Sequence, residues 1–213
     1  MNRSLRIREL IGRTAVIPVL VIDAVTDAVP LARALRDGGL KMLEITLRTP
    51  AALPSIAAIA AELPDVVVGA GTVRNASDAR LAREAGARFV VSPGYTAALG
   101  AACVELGLPC LPGVATASEV MAAFNDGYDV MKFFPAEAAG GLAMLNAFAG
   151  PFPDVAFCPT GGIDAENAPA YLARPNVLCV GGSWLAPRAE VAAANWTKIT
   201  ELAAVAAGMK RSG

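Results

Sequence analysis

The stretch Tyr128-Asp129-Val130-Met131-Lys132-Phe133-Phe134-Pro135 is apolar almost throughout, with one lysine at its centre. Read as a strand, it places Lys132 on the face shared by Val130 and Phe134, with Met131 and Phe133 on the other. Similar short runs occur before and after it: 16–22, 42–47, 66–72, 89–93, 110–113, 156–160 and 177–181. With 130–134 that makes eight candidate strands. Alanine-rich stretches suited to helices separate them, among them 28–36, 51–62, 76–85 and 118–124, with Thr26, Ser77 and Thr116 as expected caps. A period of about 20–27 residues per unit is what a βα repeat requires. Eight units without a long polar linker predict an α/β fold, a single (β/α)₈ TIM barrel spanning 1–213 with a short N-terminal helix. A doubly wound open sheet is the alternative.

Lys132 also carries the first chemical argument. Burial in apolar surroundings disfavours an ammonium, and a neutral amine is a nucleophile able to form a Schiff base with a carbonyl substrate or cofactor. A lysine whose stem packs while its head reaches water is the competing reading. The other charge inside an apolar run is Glu44, in Met42-Leu43-Glu44-Ile45-Thr46-Leu47-Arg48, so it is either paired or functional. Lys132 and Arg48 are its natural partners. A buried ion pair explains both residues without chemistry, whereas a carboxylate beside a nucleophilic lysine supplies a proton shuttle.

Composition narrows the chemistry further. The 213 residues are 55% hydrophobic and 17% charged with net charge -1, and there is no long run of like charge, which argues for a small-molecule partner and against nucleic acid. The arginine-bearing first 13 residues and the interrupted apolar run 15–22 fit neither a signal peptide nor a membrane span. Cys103, Cys110, Cys158 and Cys179 lack metal-site spacing and are expected to be free, buried thiols in a reducing cytoplasm. The chain has no histidine, so proton transfer falls to Glu, Asp, Lys, Tyr or water, and histidine-ligated metal sites are excluded.

In a barrel of this kind, the site lies at the C-terminal ends of the strands, where Glu44, Arg48, Thr72, Lys132 and Thr160 fall. Arg48, on the strand parity of Glu44, offers a planar fork to a carboxylate. Thr72 follows Gly69-Ala70-Gly71, whose glycines permit close backbone approach. Two glycine-rich turns, Pro159-Thr160-Gly161-Gly162-Ile163-Asp164 and Val180-Gly181-Gly182-Ser183-Trp184, are read as a phosphate cradle followed by helix termini.

Together these segments closely resemble the 2-dehydro-3-deoxy-6-phosphogluconate (KDPG) aldolase and 4-hydroxy-2-oxoglutarate (KHG) aldolase family. The resemblance runs almost the full length, through 39–48, 69–73, Ser92-Pro93-Gly94, Pro112-Gly113-Val114, Lys132-Phe133-Phe134-Pro135-Ala136-Glu137, 157–163 and Gly181-Gly182-Ser183-Trp184. It implies a Schiff-base lysine at Lys132 and a catalytic carboxylate at Glu44. It further implies substrate contacts at Arg48, Thr72, Pro93, Phe134 and Thr160, and phosphate contacts at Gly161, Gly162, Gly182 and Ser183. The implied reaction cleaves KDPG to pyruvate and glyceraldehyde 3-phosphate, and 4-hydroxy-2-oxoglutarate to pyruvate and glyoxylate, with no metal or cofactor. A cytoplasmic homotrimer is implied as well. One departure stands out: relatives often carry arginine two residues before the apolar-Pro pair, where this chain has Ala15. Rival readings of the same residues are a pyridoxal-phosphate enzyme, a phosphosugar epimerase or isomerase, and a non-catalytic phosphosugar-binding barrel.

Overall fold

In the computed structural model the alternating runs become alternating elements, described for residues 2–12 and 14–210. Met1 and residues 211–213, the outer ends of the expected 1–213 unit, and Arg13 lie outside the described residues. The strands are β1 (Val16–Leu20), β2 (Met42–Thr46), β3 (Val67–Gly71), β4 (Val90–Val91), β5 (Cys110–Leu111), β6 (Gly113–Val114), β7 (Val130–Phe133), β8 (Ala156–Pro159) and β9 (Val180–Gly182). The helices are α1 (Leu5–Ile11), α2 (Val25–Asp37), α3 (Ala52–Glu62), α4 (Ala76–Glu84), α5 (Ala97–Glu105), α6 (Ala117–Asn125), α7 (Gly141–Ala149), α8 (Ala168–Leu172), α9 (Arg188–Ala192) and α10 (Trp196–Ala207). Every strand pair among them is parallel.

The strands form a six-stranded sheet, ordered β5-β4-β3-β2-β1-β9, and a three-stranded sheet, β6-β7-β8. Two further parallel bridges, Phe157 with Val177 and Thr160 with Gly181, connect the sheets. The architecture is α/β and TIM-barrel-like, but the expected eight-stranded ladder is not continuous. The cause is Pro112, which splits the run 110–113 into β5 and β6 because proline has no N–H to donate. There the Gly113 N–H instead donates to the buried Ser92 Oγ at 3.3 Å, and the Pro112 carbonyl accepts from the Lys132 N–H at 2.8 Å.

Alternation divides the apolar residues into two cores, as the pattern around Lys132 predicts. Val130 joins Ile17, Met42, Leu111 and Cys158 in an inner cluster, to which α1 contributes Ile7 and Ile11. Met131 and Phe133 belong to the outer cluster, packed with helix residues such as Leu35, Ile56 and Phe148. Burying each such large side chain is worth about 1.5–3 kcal/mol. All four cysteines are buried, and none forms a disulfide. Among the described residues no helix is long and apolar enough to cross a membrane.

Two of the expected caps move. Helix α2 begins at Val25 after Ala24, so Thr26 lies inside its first turn, and α4 is capped by Asn75, whose side chain accepts the Asp78 N–H at 2.9 Å, rather than by Ser77. Thr116 does cap α6, in a reciprocal box with Glu119.

Candidate active site

Each inner column of side chains changes character toward the C-terminal end of its strand. On β2 the order is Met42 then Glu44, on β7 Val130 then Lys132, and past the end of β8 Cys158 then Thr160. The first member of each pair lies in the inner apolar cluster and the second is a buried polar or charged residue. With α1 sealing the apolar end, the polar layer can only face the other, and this is where chemistry is placed.

Glu44 and Lys132, 88 residues apart and on different sheets, meet there: Lys132 Nζ donates to Glu44 Oε1 at 3.2 Å. The Lys132 and Glu44 side chains are only 7% and 4% exposed, so the lysine does not snorkel. Removing one partner of a buried pair leaves the other charge uncompensated, typically a cost of about 3–5 kcal/mol. The ammonium also lies 5.1 Å from the centroid of the Phe134 ring, whose negative face favours a cation. The same carboxylate oxygen rests against Gly71, where an added Cβ would stand 2.1 Å from Oε1 and 2.7 Å from Cδ.

Around this pair the remaining expected residues take distinct positions. Thr160 is buried beside Gly181, whose added Cβ would approach Oγ1 to 2.3 Å, and the bridge between these two residues joins the β8 and β9 loops. Thr72, just beyond β3, has φ 59°, a left-handed conformation that costs a β-branched residue roughly 1–3 kcal/mol. Pro93 is exposed and follows the buried Ser92. Arg48 is exposed and is not on the strand: β2 ends at Thr46, and the Arg48 N–H turns back to the Thr46 carbonyl at 2.8 Å, so the parity argument stops there. Ala15 precedes β1 at the end remote from Lys132, where its carbonyl accepts the Val180 N–H at 2.9 Å. An arginine at that position would start from the opposite end of the strand.

In the candidate cradle, Gly161 (φ 97°) and Gly162 (φ 79°) adopt conformations that side chains resist. The Trp184 ring occupies the space a Cβ on Gly182 would need, and Ser183 is exposed. The expected helix termini are not there. Helix α8 starts six residues beyond Gly162 and α9 five beyond Ser183, each with five residues, so backbone groups of the loops rather than a helix end face this region. Among the described residues, no three His, Cys, Asp or Glu gather as a metal site would require.

With this geometry in place, a family model described as KDPG and KHG aldolase matches residues 7–202. The chain belongs to the KDPG and KHG aldolase family. A relative from Pseudoalteromonas atlantica, named 2-dehydro-3-deoxy-phosphogluconate aldolase, is 51% identical over 95% of this chain and 94% of its own. Among solved structures, KDPG aldolase from Legionella pneumophila, with pyruvate captured at low pH as a covalent carbinolamine intermediate, is 46% identical with a TM-score of 0.92, covering 94% of this chain and 98% of its own. The 2-keto-3-deoxy-6-phosphogluconate aldolase of Zymomonas mobilis, solved with 3-phosphoglycerate, is 51% identical with a TM-score of 0.90, covering 98% of each chain.

For this member of the KDPG and KHG aldolase family, sequence reasoning missed the residues that shape the site without touching its centre. Gly71 was legible only as a permissive glycine near a ligand, whereas it makes room for the Glu44 carboxylate. Thr46, whose Oγ1 donates to the Leu20 carbonyl at 2.9 Å, ties β2 to β1 beside Glu44. A hydroxyl in an apolar strand was the available signal for it.

Proposed function

We propose that this chain is a Schiff-base aldolase that cleaves KDPG to pyruvate and glyceraldehyde 3-phosphate, and 4-hydroxy-2-oxoglutarate to pyruvate and glyoxylate. The observation that carries the reading is the buried Lys132–Glu44 pair at the polar end of the inner core, in a chain of this family. The two substrates in the family's description fit a single mechanism, because both share a C2 carbonyl and a C4 hydroxyl.

In this mechanism, Glu44 takes a proton from the Lys132 ammonium, and the freed amine adds to C2. The adduct's nitrogen gives up a second proton to its oxygen, forming the carbinolamine, and the Glu44 carboxyl then protonates that hydroxyl, which leaves as water; the resulting protonated imine is an electron sink. Glu44, again a carboxylate, accepts the C4 hydroxyl proton as the C3–C4 bond breaks into the sink. The aldehyde departs, and the enamine takes a proton at C3 and is hydrolysed to pyruvate, restoring Lys132. Phe134 lies beside both the ammonium and the iminium that replaces it. Arg48 and Thr72 hold the substrate carboxylate end, with Pro93 and Thr160 completing its walls. Gly161, Gly162, Gly182 and Ser183 take the phosphate, which positions the bond that breaks far from it.

The same reading treats 1–213 as one domain whose two sheets close into an eight-stranded barrel, β5 and β6 being one strand interrupted at Pro112. It also makes the enzyme a cytoplasmic homotrimer, as its resemblance to the family implies. Treatment with pyruvate and borohydride, followed by peptide mass spectrometry, tests the chemistry. One reduced adduct is expected, on Lys132. An unmodified protein that still cleaves KDPG would rule the imine out.

A further inference from the structure

Glu137 has no part in the mechanism above, yet it lies against the candidate phosphate loop. A Cβ on Gly162 would come within 2.5 Å of Glu137 Cγ and 2.7 Å of its Cβ, so the stem of Glu137 fills the space beside that glycine. The Glu137 N–H donates to the Gly161 carbonyl at 3.1 Å, and the preceding Ala136 N–H donates to the Thr160 carbonyl at 2.8 Å. Three consecutive loop residues are thus registered against Ala136 and Glu137. The carboxylate is fixed in turn, since Glu137 Oε1 accepts a hydrogen bond from the Tyr171 hydroxyl. Tyr171 is 1% exposed and its ring is part of the outer core. Burial first, and then the bond to Glu137, push its pKa above the usual phenol value, so the hydroxyl keeps the proton it donates to Glu137. Beyond the glycines, Asn167 Nδ2 donates to the Gly162 carbonyl at 2.8 Å, which leaves Glu137 as the support on the other side.

We infer that Glu137 and Tyr171 are a positioning pair for specificity: they hold the Gly161–Gly162 loop in the shape that receives the substrate's phosphate. This rests on the aldolase reading of the site. The two substrates separate this role from general support of the fold, because only KDPG carries a phosphate. Neither residue touches Lys132 or Glu44 through any described bond, so the carbonyl chemistry itself does not require them.

The test compares Glu137→Gln and Tyr171→Phe with the wild-type enzyme on KDPG and on 4-hydroxy-2-oxoglutarate, with reductive trapping of pyruvate on each protein. Glu137→Gln weakens the bond and Tyr171→Phe removes it, and neither changes side-chain size much. The expected result is a fall of at least about tenfold in kcat/KM for KDPG, mainly through KM, with cleavage of 4-hydroxy-2-oxoglutarate within about twofold and Lys132 still trapped. Unchanged kinetics on KDPG, or equal losses on both substrates, would overturn the pair's role while the wild-type activity upholds the aldolase reading. A wild-type enzyme inert toward KDPG would instead overturn that reading and this inference with it.

Discussion

At Gly71 the difference between glycine and alanine is one carbon, placed where the Glu44 carboxylate already is. The backbone there is ordinary strand, without the positive φ that would demand glycine, so the requirement is steric alone. Gly71→Ala should therefore push Glu44 away from Lys132 and lower kcat on KDPG by at least about tenfold, within the span general acid–base groups command. Steady-state kinetics alongside circular dichroism would check it, and a folded variant with kcat within twofold of wild type would refute it. The contrast with Lys132 and Glu44 explains what a sequence discloses at this scale. Those two were legible because each puts a charge into an apolar strand, a violation visible in one dimension. Gly71 and the Glu137–Tyr171 bond acquire meaning only from a neighbour 27 or 34 residues away, and nothing in their local composition marks them. Arg48 shows the reverse failure, an expectation built on a parity rule that the turn after Thr46 cancels.

Among the elements, α6 was the most legible because its start is written in two residues. Glu119 accepts the N–H groups of Ala115 and Thr116 and the Thr116 hydroxyl, while Thr116 Oγ1 accepts the Glu119 N–H. Burial pushes the Glu119 carboxyl upward, but the hydrogen bonds from Ala115 and Thr116 outweigh it and hold the group below its ordinary value. A carboxyl depressed in the folded state contributes stability above its unfolded value, about 4.3, and loses it as pH falls through the folded one. Glu119→Ala should thus melt below wild type at pH 7, and the gap should shrink as pH drops below about 4.3. Thermal melts across that range decide the matter, a gap independent of pH being the contrary result. Helices α2 and α4 were misplaced at their starts because Thr26 and Ser77 have the right chemistry two residues too late. The fifth strand was read as one because it is a short apolar run, and the missing N–H of Pro112 acts only against a neighbouring strand.

On the scale of the whole molecule, the βα rhythm made the architecture readable, while the way the two sheets meet depended on pairings no periodicity records. Glu44 belongs to the six-stranded sheet and Lys132 to the three-stranded one, so their 3.2 Å approach exists only when the sheets are docked. Cutting after Gly107, in the turn between α5 and β5 where an added Cβ would meet open space, separates the two residues into different fragments. Neither 1–107 nor 108–213 should cleave KDPG alone, and mixing them should restore turnover with a dependence on the concentration of both. Cleavage by one fragment would show that the ion pair is dispensable. A chain in which half the machinery is made before the other half has emerged cannot act on its substrate early. Its catalysis begins only once the two sheets have docked, so each pyruvate released is a signal that the two halves have found one another.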